Sequence, residues 1–196
     1  MAVTVRGLPS RLEDAVRRTL AGAELPVVVA GAGLQARASF LELEPGEWLS
    51  AVDAVRHAFL AARQAAAAWL HAETPGRVIF VVSAASIRPL HGATLDAVAG
   101  GFLTTIAQVG AVELGGKGIT VNVVAHGWLE GETDELVEGI PAGRLGRPED
   151  VAGAIAFLAS PAASYVNGAV LTVDGGFWIT KTGGGSPLLP ATDSAG

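Results

Sequence analysis

The stretch Arg77–Leu114, RVIFVVSAASIRPLHGATLDAVAGGFLTTIAQVGAVEL, limits what this chain can fold into more than any other. Val78–Val82 is an unbroken apolar run rich in β-branched residues, the mark of a strand buried on both faces of a parallel sheet. Ser83 sits where that strand ends. From Thr94 the apolar residues fall at Leu95, Val98, Phe102, Ile106 and Val109, a helical spacing that continues to Leu114. In open α/β sheets ligands bind at the carboxyl ends of strands. A strand-end serine followed by a long helix is therefore the first place to look for chemistry.

The same alternation runs through the rest of the chain. Met1–Arg6 reads as a short strand, and Ser10–Ala21 as a helix with a Ser10/Glu13 capping box and a stripe of Leu12, Val16 and Leu20. Leu25–Gly33 is a second buried strand with a Gly-rich exit. Glu44–His71 opens on a Pro-Gly turn and becomes a long helix. Its Trp48, Val52, Val55, Phe59, Ala62, Ala66 and Trp69 alternate by four and three, a seam of coiled-coil type. Gly118–Ala125 is a third buried strand. Arg147–Ser160 is a helix with Pro148, Glu149 and Asp150 at its positive end, and Val166–Gly176 holds the last strand. Residues 1–181 thus read as one domain. Thr182–Gly196 reads as a flexible tail whose Pro187–Pro190 segment, PLLP, offers a docking motif.

Charge and composition narrow the function classes. A formal net charge of −6 argues against nucleic acid and anionic membrane surfaces as partners. The chain has no cysteine, so no disulfide framework, thiolate metal site or thiol nucleophile is expected, and no other metal site is read. No basic segment leads into an apolar run at the N-terminus, and no apolar stretch reads as a membrane span. The expected location is the cytoplasm.

Arg77–Leu114 resembles the core of the short-chain dehydrogenase/reductase family, where a serine at the strand end is followed by a catalytic Tyr and, one helical turn later, a Lys. The Ser83 strand end and the Ala-x-Glu-Leu of Ala111–Leu114 fix the register. Ser83 matches the family serine, the Tyr position is Asp96 and the Lys position is Gly100. The family uses the Tyr hydroxyl as general acid/base, with the Lys lowering its pKa and holding the ribose. Val5–Gly22 lies without gaps on the family's Val-Thr-Gly-x-x-x-Gly-x-Gly segment, but only Gly7 survives; the later glycines fall at Arg11 and Glu13. Ala30–Gly31 stands where the family has two Asn, and the Asn of the catalytic tetrad falls near Val55–Arg56. Arg56 and His57 read as solvated or interfacial. GITVNVVA resembles the family's third long strand, with His126 in place of a Pro. His126 is either an acid/base at a strand end or a loop cap. The family Thr that touches the nicotinamide amide lands near Gly131, and the lid segment before Gly143–Arg147 is nearly absent. The two strands and two helices that would follow the first helix, and that read the adenosine ribose, are missing.

The resemblance implies a Rossmann-like doubly wound parallel sheet in three α/β/α layers, shortened to about five strands. Val3–Val5 is expected to pair in parallel with Val27–Val29 through a right-handed crossover. With Ser83 the one tetrad relic, three functional expectations follow. In the first, the chain is a non-catalytic subunit in a hetero-oligomer, a heterotetramer for example, with a full-length active family member. Contact would run through the helices Trp48–Trp69 and Leu95–Leu114. This chain would bind no cofactor, NAD(P) sitting only in the partner. In the second, it is a cofactor-independent cyclase or isomerase using Ser83, Asp96 and His126. In the third, it is a dehydrogenase with a remodelled site.

Overall fold

The computed structural model describes residues 3–33, 38, 40–131 and 139–179; the tail from Thr182 and its PLLP segment lie outside them. Five parallel strands, β1 (Val3–Arg6), β2 (Val27–Gly31), β3 (Gly76–Ser83), β4 (Ile119–His126) and β5 (Val170–Val173), form one sheet in chain order. Four helices connect them: α1 (Ser10–Thr19), α2 (Pro45–His71), α3 (Thr94–Leu114) and α4 (Pro148–Ala159). The expected pairing of the first two strands is present, with Val3 opposite Val27 and Val5 opposite Val29.

Alternation along the strands splits the core in two. Val5, Val29, Ile79, Val81 and Val124 meet α1 and α4 on one face, through Leu12, Val16, Val151 and Ile155. Val28, Phe80, Val82, Val121 and Val123 meet α2 and α3 on the other, through Val55, Ala62, Leu103 and Ala107. Small residues on α2 and α3 let these helices lie close to the sheet, and Phe80 fills the space between, 1% exposed. Burying that ring contributes about 1.5–3 kcal/mol. By length and composition α3, with the turn after it, is apolar enough to cross a membrane, contrary to the sequence reading. Here it packs on β3, β4 and α2.

The crossover expectation needs correcting. The strands advance steadily from β1 to β5, all parallel, while α1 and α4 cover one face and α2 and α3 the other. Connections that step the same way across opposite faces have opposite hands, so the units through α1 and α4 cannot share the hand of those through α2 and α3. One pair departs from the right-handed rule. In the family the first helix leads to a strand on the other side of β1. With that unit deleted, the same helix on the same face must lead to β2 instead.

Two crevices follow from this topology. The chain leaves β1 toward one face and β2 toward the other, so the two exits part; β3 and β4 part in the same way. Each opening lies at carboxyl ends of strands, where α/β sheets place their ligands.

The start of α1 also differs from expectation. Pro9, not Ser10, is the N-cap, and no side chain caps the helix. Glu13 pairs with Arg17 at 2.6 Å instead, and Arg17 also donates to Val5 O at 2.9 Å. Capping is found on α2, where Glu44 and Glu47 form a capping box, and on α4, where Asp150 accepts from the Arg147 N–H at 2.7 Å. Arg144 and the Arg147 amide hold the Asp150 carboxyl below its usual range.

Candidate active site

The crevice between β3 and β4 brings together the three side chains singled out for the second expectation. Ser83 and His126 are register partners on adjacent strands, so their side chains leave the sheet on the same face. Together with Asp96 they line one small cavity, closed by Leu90, Trp128 and Phe177. Asp96 stands in the first turn of α3, where the helix dipole favours a carboxylate.

The hydrogen bonds define what each group can do. Ser83 Oγ accepts from the Ala85 N–H at 3.2 Å and so caps a short 3-10 turn. That bond uses a lone pair and leaves the hydroxyl proton to be donated elsewhere. His126 is 5% exposed, and its Nδ1 lies 2.8 Å from Gly127 O. A carbonyl only accepts, so Nδ1 carries the proton and Nε2 is the acceptor. His126 is thus held by its own loop, and Nε2 is the nitrogen available to a reactant.

Gly100 does not join them. A Cβ built there would lie 2.4 Å from Ser86 Cβ and 3.2 Å from Val82 Cβ. The helix has settled against the turn after β3 because this position carries no side chain.

The crevice between β1 and β2 is larger, about 360 Å³, and is lined by Arg6, Gly7, Leu8, Pro9, Gly31, Ala32, Gly33, Ala54, His57 and Ala58. Gly7 has φ +65°, and a Cβ there would fall 2.1 Å from Gly31 O, so only glycine lets the two strand ends close up. Arg11 lies in the first turn of α1, and a Cβ on Gly131 would come within 3.4 Å of its guanidinium. Among the described residues neither Arg6 nor Arg11 has an ion-pair partner. His57 and Arg56 share Asp53, at 3.2 and 2.7 Å; the Arg56 hydrogen bond holds that carboxyl below its usual range. His57 is therefore at the crevice edge and Arg56 on the exposed flank, and neither reaches Ser83's cavity.

The profile of the family described as enoyl-(acyl carrier protein) reductase matches residues 9–178. The chain belongs to the short-chain dehydrogenase/reductase family. It is 29% identical over 194 residues to 2-dehydro-3-deoxy-D-gluconate 5-dehydrogenase of Escherichia coli, covering 90% of this chain and 73% of that protein. It is 30% identical over 161 residues to 3-oxoacyl-(acyl-carrier-protein) reductase of Chlamydia trachomatis, covering 78% and 65%. The chain spans roughly two thirds of the length of these relatives. Among solved structures it superposes with a TM-score of 0.76 on a protein of Agrobacterium tumefaciens described as a 2-deoxy-D-gluconate 3-dehydrogenase with bound NADP. The identity is 25%, over 91% of this chain and 97% of that one.

These relatives overturn two expectations. They are dehydrogenases and reductases, which contradicts the reading of this chain as a non-catalytic subunit and gives no support to a cofactor-independent cyclase or isomerase. The NADP-bound structure, matched over nearly its whole chain, contradicts the reading that this chain binds no cofactor. The physical basis of that second reading also weakens. Glu13, expected to repel a pyrophosphate, is ion-paired with Arg17 one turn further along the helix. Arg11, expected to block the site, is not among the residues lining the crevice, and its guanidinium lies by Gly131.

A dinucleotide fits the crevice between β1 and β2 on these observations. The α1 N-terminus is free of a side-chain cap, its first-turn amides are the kind that bind phosphate, and Gly7 and Gly31 keep the floor open to backbone approach. Sequence reasoning weighed Arg11 only against the glycine the family has at that position. It missed Leu90, Trp128 and Phe177 because isolated apolar residues in loops carry no periodic signal.

Proposed function

We propose that this chain is a nicotinamide-dinucleotide-linked oxidoreductase that interconverts a small secondary alcohol and its ketone. The observation that carries the reading is the Ser83–His126 register pair facing one cavity, next to a crevice suited to a dinucleotide. The ketone and alcohol class comes from the relatives' names, an oxoacyl reductase and sugar-acid dehydrogenases among them.

The residues divide the work as follows. Arg11, with Arg6 and the first-turn amides of α1, would hold the dinucleotide's phosphates. A nicotinamide dinucleotide, when bound, supplies the hydride donor or acceptor. Ser83 donates its remaining hydroxyl proton in a hydrogen bond to the substrate oxygen and fixes its position. His126 Nε2 takes the proton from an alcohol, or, as imidazolium, returns it to the oxygen of a ketone. His126 thus does the proton work that a Tyr does elsewhere in the family. Leu90, Trp128 and Phe177 keep water away from that exchange.

Calorimetric titration of the whole chain with NADPH and with NADH tests the reading at its first step. Micromolar binding of at least one of them is expected. Arg11→Ala should weaken it about tenfold or more, the loss of one charge-assisted phosphate contact of roughly 1.5–3 kcal/mol. Binding no tighter than millimolar by either nucleotide would refute the assignment.

We also infer that the outer face of α2 and α3 receives a subunit of the same family presenting the equivalent helix pair. Phe59, Phe102 and Val109 are exposed there, around a groove of about 470 Å³. The groove carries Arg63 from α2 and Glu113 from α3, neither ion-paired among the described residues. A two-fold contact would set one subunit's Arg63 against the other's Glu113. Phe59→Asp should lower the oligomeric mass measured by light scattering. An unchanged mass would place the interface elsewhere.

A further inference from the structure

The cavity at Ser83 and His126 has room for about 20 Å³, enough for roughly one water molecule. Typical ligand sites run to a few hundred Å³. If it is the substrate site, as argued above, some wall must move before any alcohol can enter. Of its walls, Ser83, Ala84 and His126 belong to or directly follow the sheet's central strands, and Ala93 and Asp96 to the start of α3. Leu90, Trp128 and Phe177 come from segments between or after these elements, and Phe177 opens the short 3-10 turn Phe177–Ile179 after β5, at the end of the described chain.

We propose that the turn Phe177–Ile179 is a gate over the Ser83–His126 cavity, latched by Arg88. Phe177 is 8% exposed, lines the cavity and packs with Ile140 and Leu145, but its neighbours are more exposed, Trp178 37% and Ile179 79%. One buried ring is therefore the main apolar contact holding the turn down. The Ala142 N–H donates to Gly175 O at 3.0 Å and fixes the base of the turn. Arg88, from the loop after β3, donates through Nη1 to Phe177 O at 3.0 Å and to Trp178 O at 3.2 Å. Its guanidinium also lies 5.8 Å from the centre of the Phe177 ring, within cation–π range. Asp174 accepts from the Gly176 and Trp178 amides at 3.0 and 2.6 Å, which shapes the turn itself.

Between Asp174 and Phe177 lie Gly175 and Gly176, with φ +63° and +87°. Two successive glycines give the backbone freedom to swing without steric cost from side chains. The turn can therefore move once the two Arg88 bonds and the Asp174 bonds that span the glycines, to the Phe177 and Trp178 amides, are broken and Phe177 leaves the cavity. In the closed position it excludes water from His126 Nε2; in the open position it admits substrate. Gates of this kind commonly set turnover.

The chain has no native cysteine, so a single introduced thiol reports on access. Ala85 lines the cavity and is 2% exposed; Ala15 lies on the buried face of α1 and is 1% exposed. Labelling of Ala85→Cys by N-ethylmaleimide should be slow, and should speed up at least tenfold when combined with Arg88→Ala. Labelling of Ala15→Cys should stay slow with the same change. Phe177→Ala, combined with Ala85→Cys, should have the same effect and carries the test if the Arg88 variant does not fold. The proposal is overturned if Ala85→Cys labels at one rate with and without these changes, or if both cysteines speed up together. Labelling needs neither dinucleotide nor substrate, so this result stands or falls apart from the oxidoreductase reading.

Discussion

Replacing His126 with Asn should lower kcat for ketone reduction by about a hundredfold to ten-thousandfold, the usual range for losing a positioned acid or base. Asn suits the test because its side-chain amide can still donate to Gly127 O, as Nδ1–H does at 2.8 Å. The loop after β4 keeps its hydrogen bond, and no buried donor is left unsatisfied. What disappears is Nε2, the atom to which the proton exchange with substrate is assigned. Stability should barely change. Retention of more than a tenth of kcat would mean that the proton passes elsewhere, and Asp96, on the wall of the same cavity, would then be the group to replace.

The fold was legible in the sequence wherever burial is continuous. Val27–Val29 and Val78–Val82 are apolar on both faces because both faces are covered, and such β-branched runs read as buried strands. The same holds for α3, whose bounds matched the apolar spacing from Thr94 to Leu114. The start of α1 was not legible. Ser10 and Glu13 have the spacing of a capping box, but Pro9 takes the cap position and Arg17 competes for the Glu13 carboxylate. Nor was the crossover geometry legible, because hand depends on which face a helix covers, and α1 has apolar residues for either choice.

The site was legible in part and for a physical reason. Strand ends are readable, so Ser83 and His126 could be named, and parallel pairing in register then puts them side by side. Their usefulness depended on hydrogen bonds to Ala85 N and Gly127 O, which no spacing rule encodes. The crevice between β1 and β2 was misread because each residue was compared with the family's glycines one at a time. Glu13 was counted as a repelling charge, but a charge matters with its partner attached. Paired with Arg17, it no longer stands as a bare repelling charge at the helix start.

Restoring the family's Tyr and Lys at Asp96 and Gly100 should not raise activity, and the lysine should damage the fold. Gly100 is buried, and its missing Cβ marks where α3 touches the turn Ala84–Ser86. A Cβ 2.4 Å from Ser86 Cβ and 3.2 Å from Val82 Cβ requires the helix or the strand end to shift. Overpacking a tight contact costs about 1–3 kcal/mol, and placing the rest of a lysine there adds the cost of desolvating its ammonium. A total near 3 kcal/mol or more is expected, equivalent to a fall in melting temperature of roughly 6–12 °C for a chain of this size. Asp96→Tyr alone should be milder for the fold, because that side chain is only half-buried. It should still crowd the small cavity it shares with Ser83 and Phe177. Melting curves and turnover of the two single variants and the double variant decide the matter. If the double variant melts like the parent and turns over faster, α3 has room the structure does not show, and the proton role assigned to His126 is wrong. If Gly100→Lys melts well below the parent and gains no activity, the helix has closed over the space a lysine would need, and proton transfer must be sought across the β3/β4 crevice at His126.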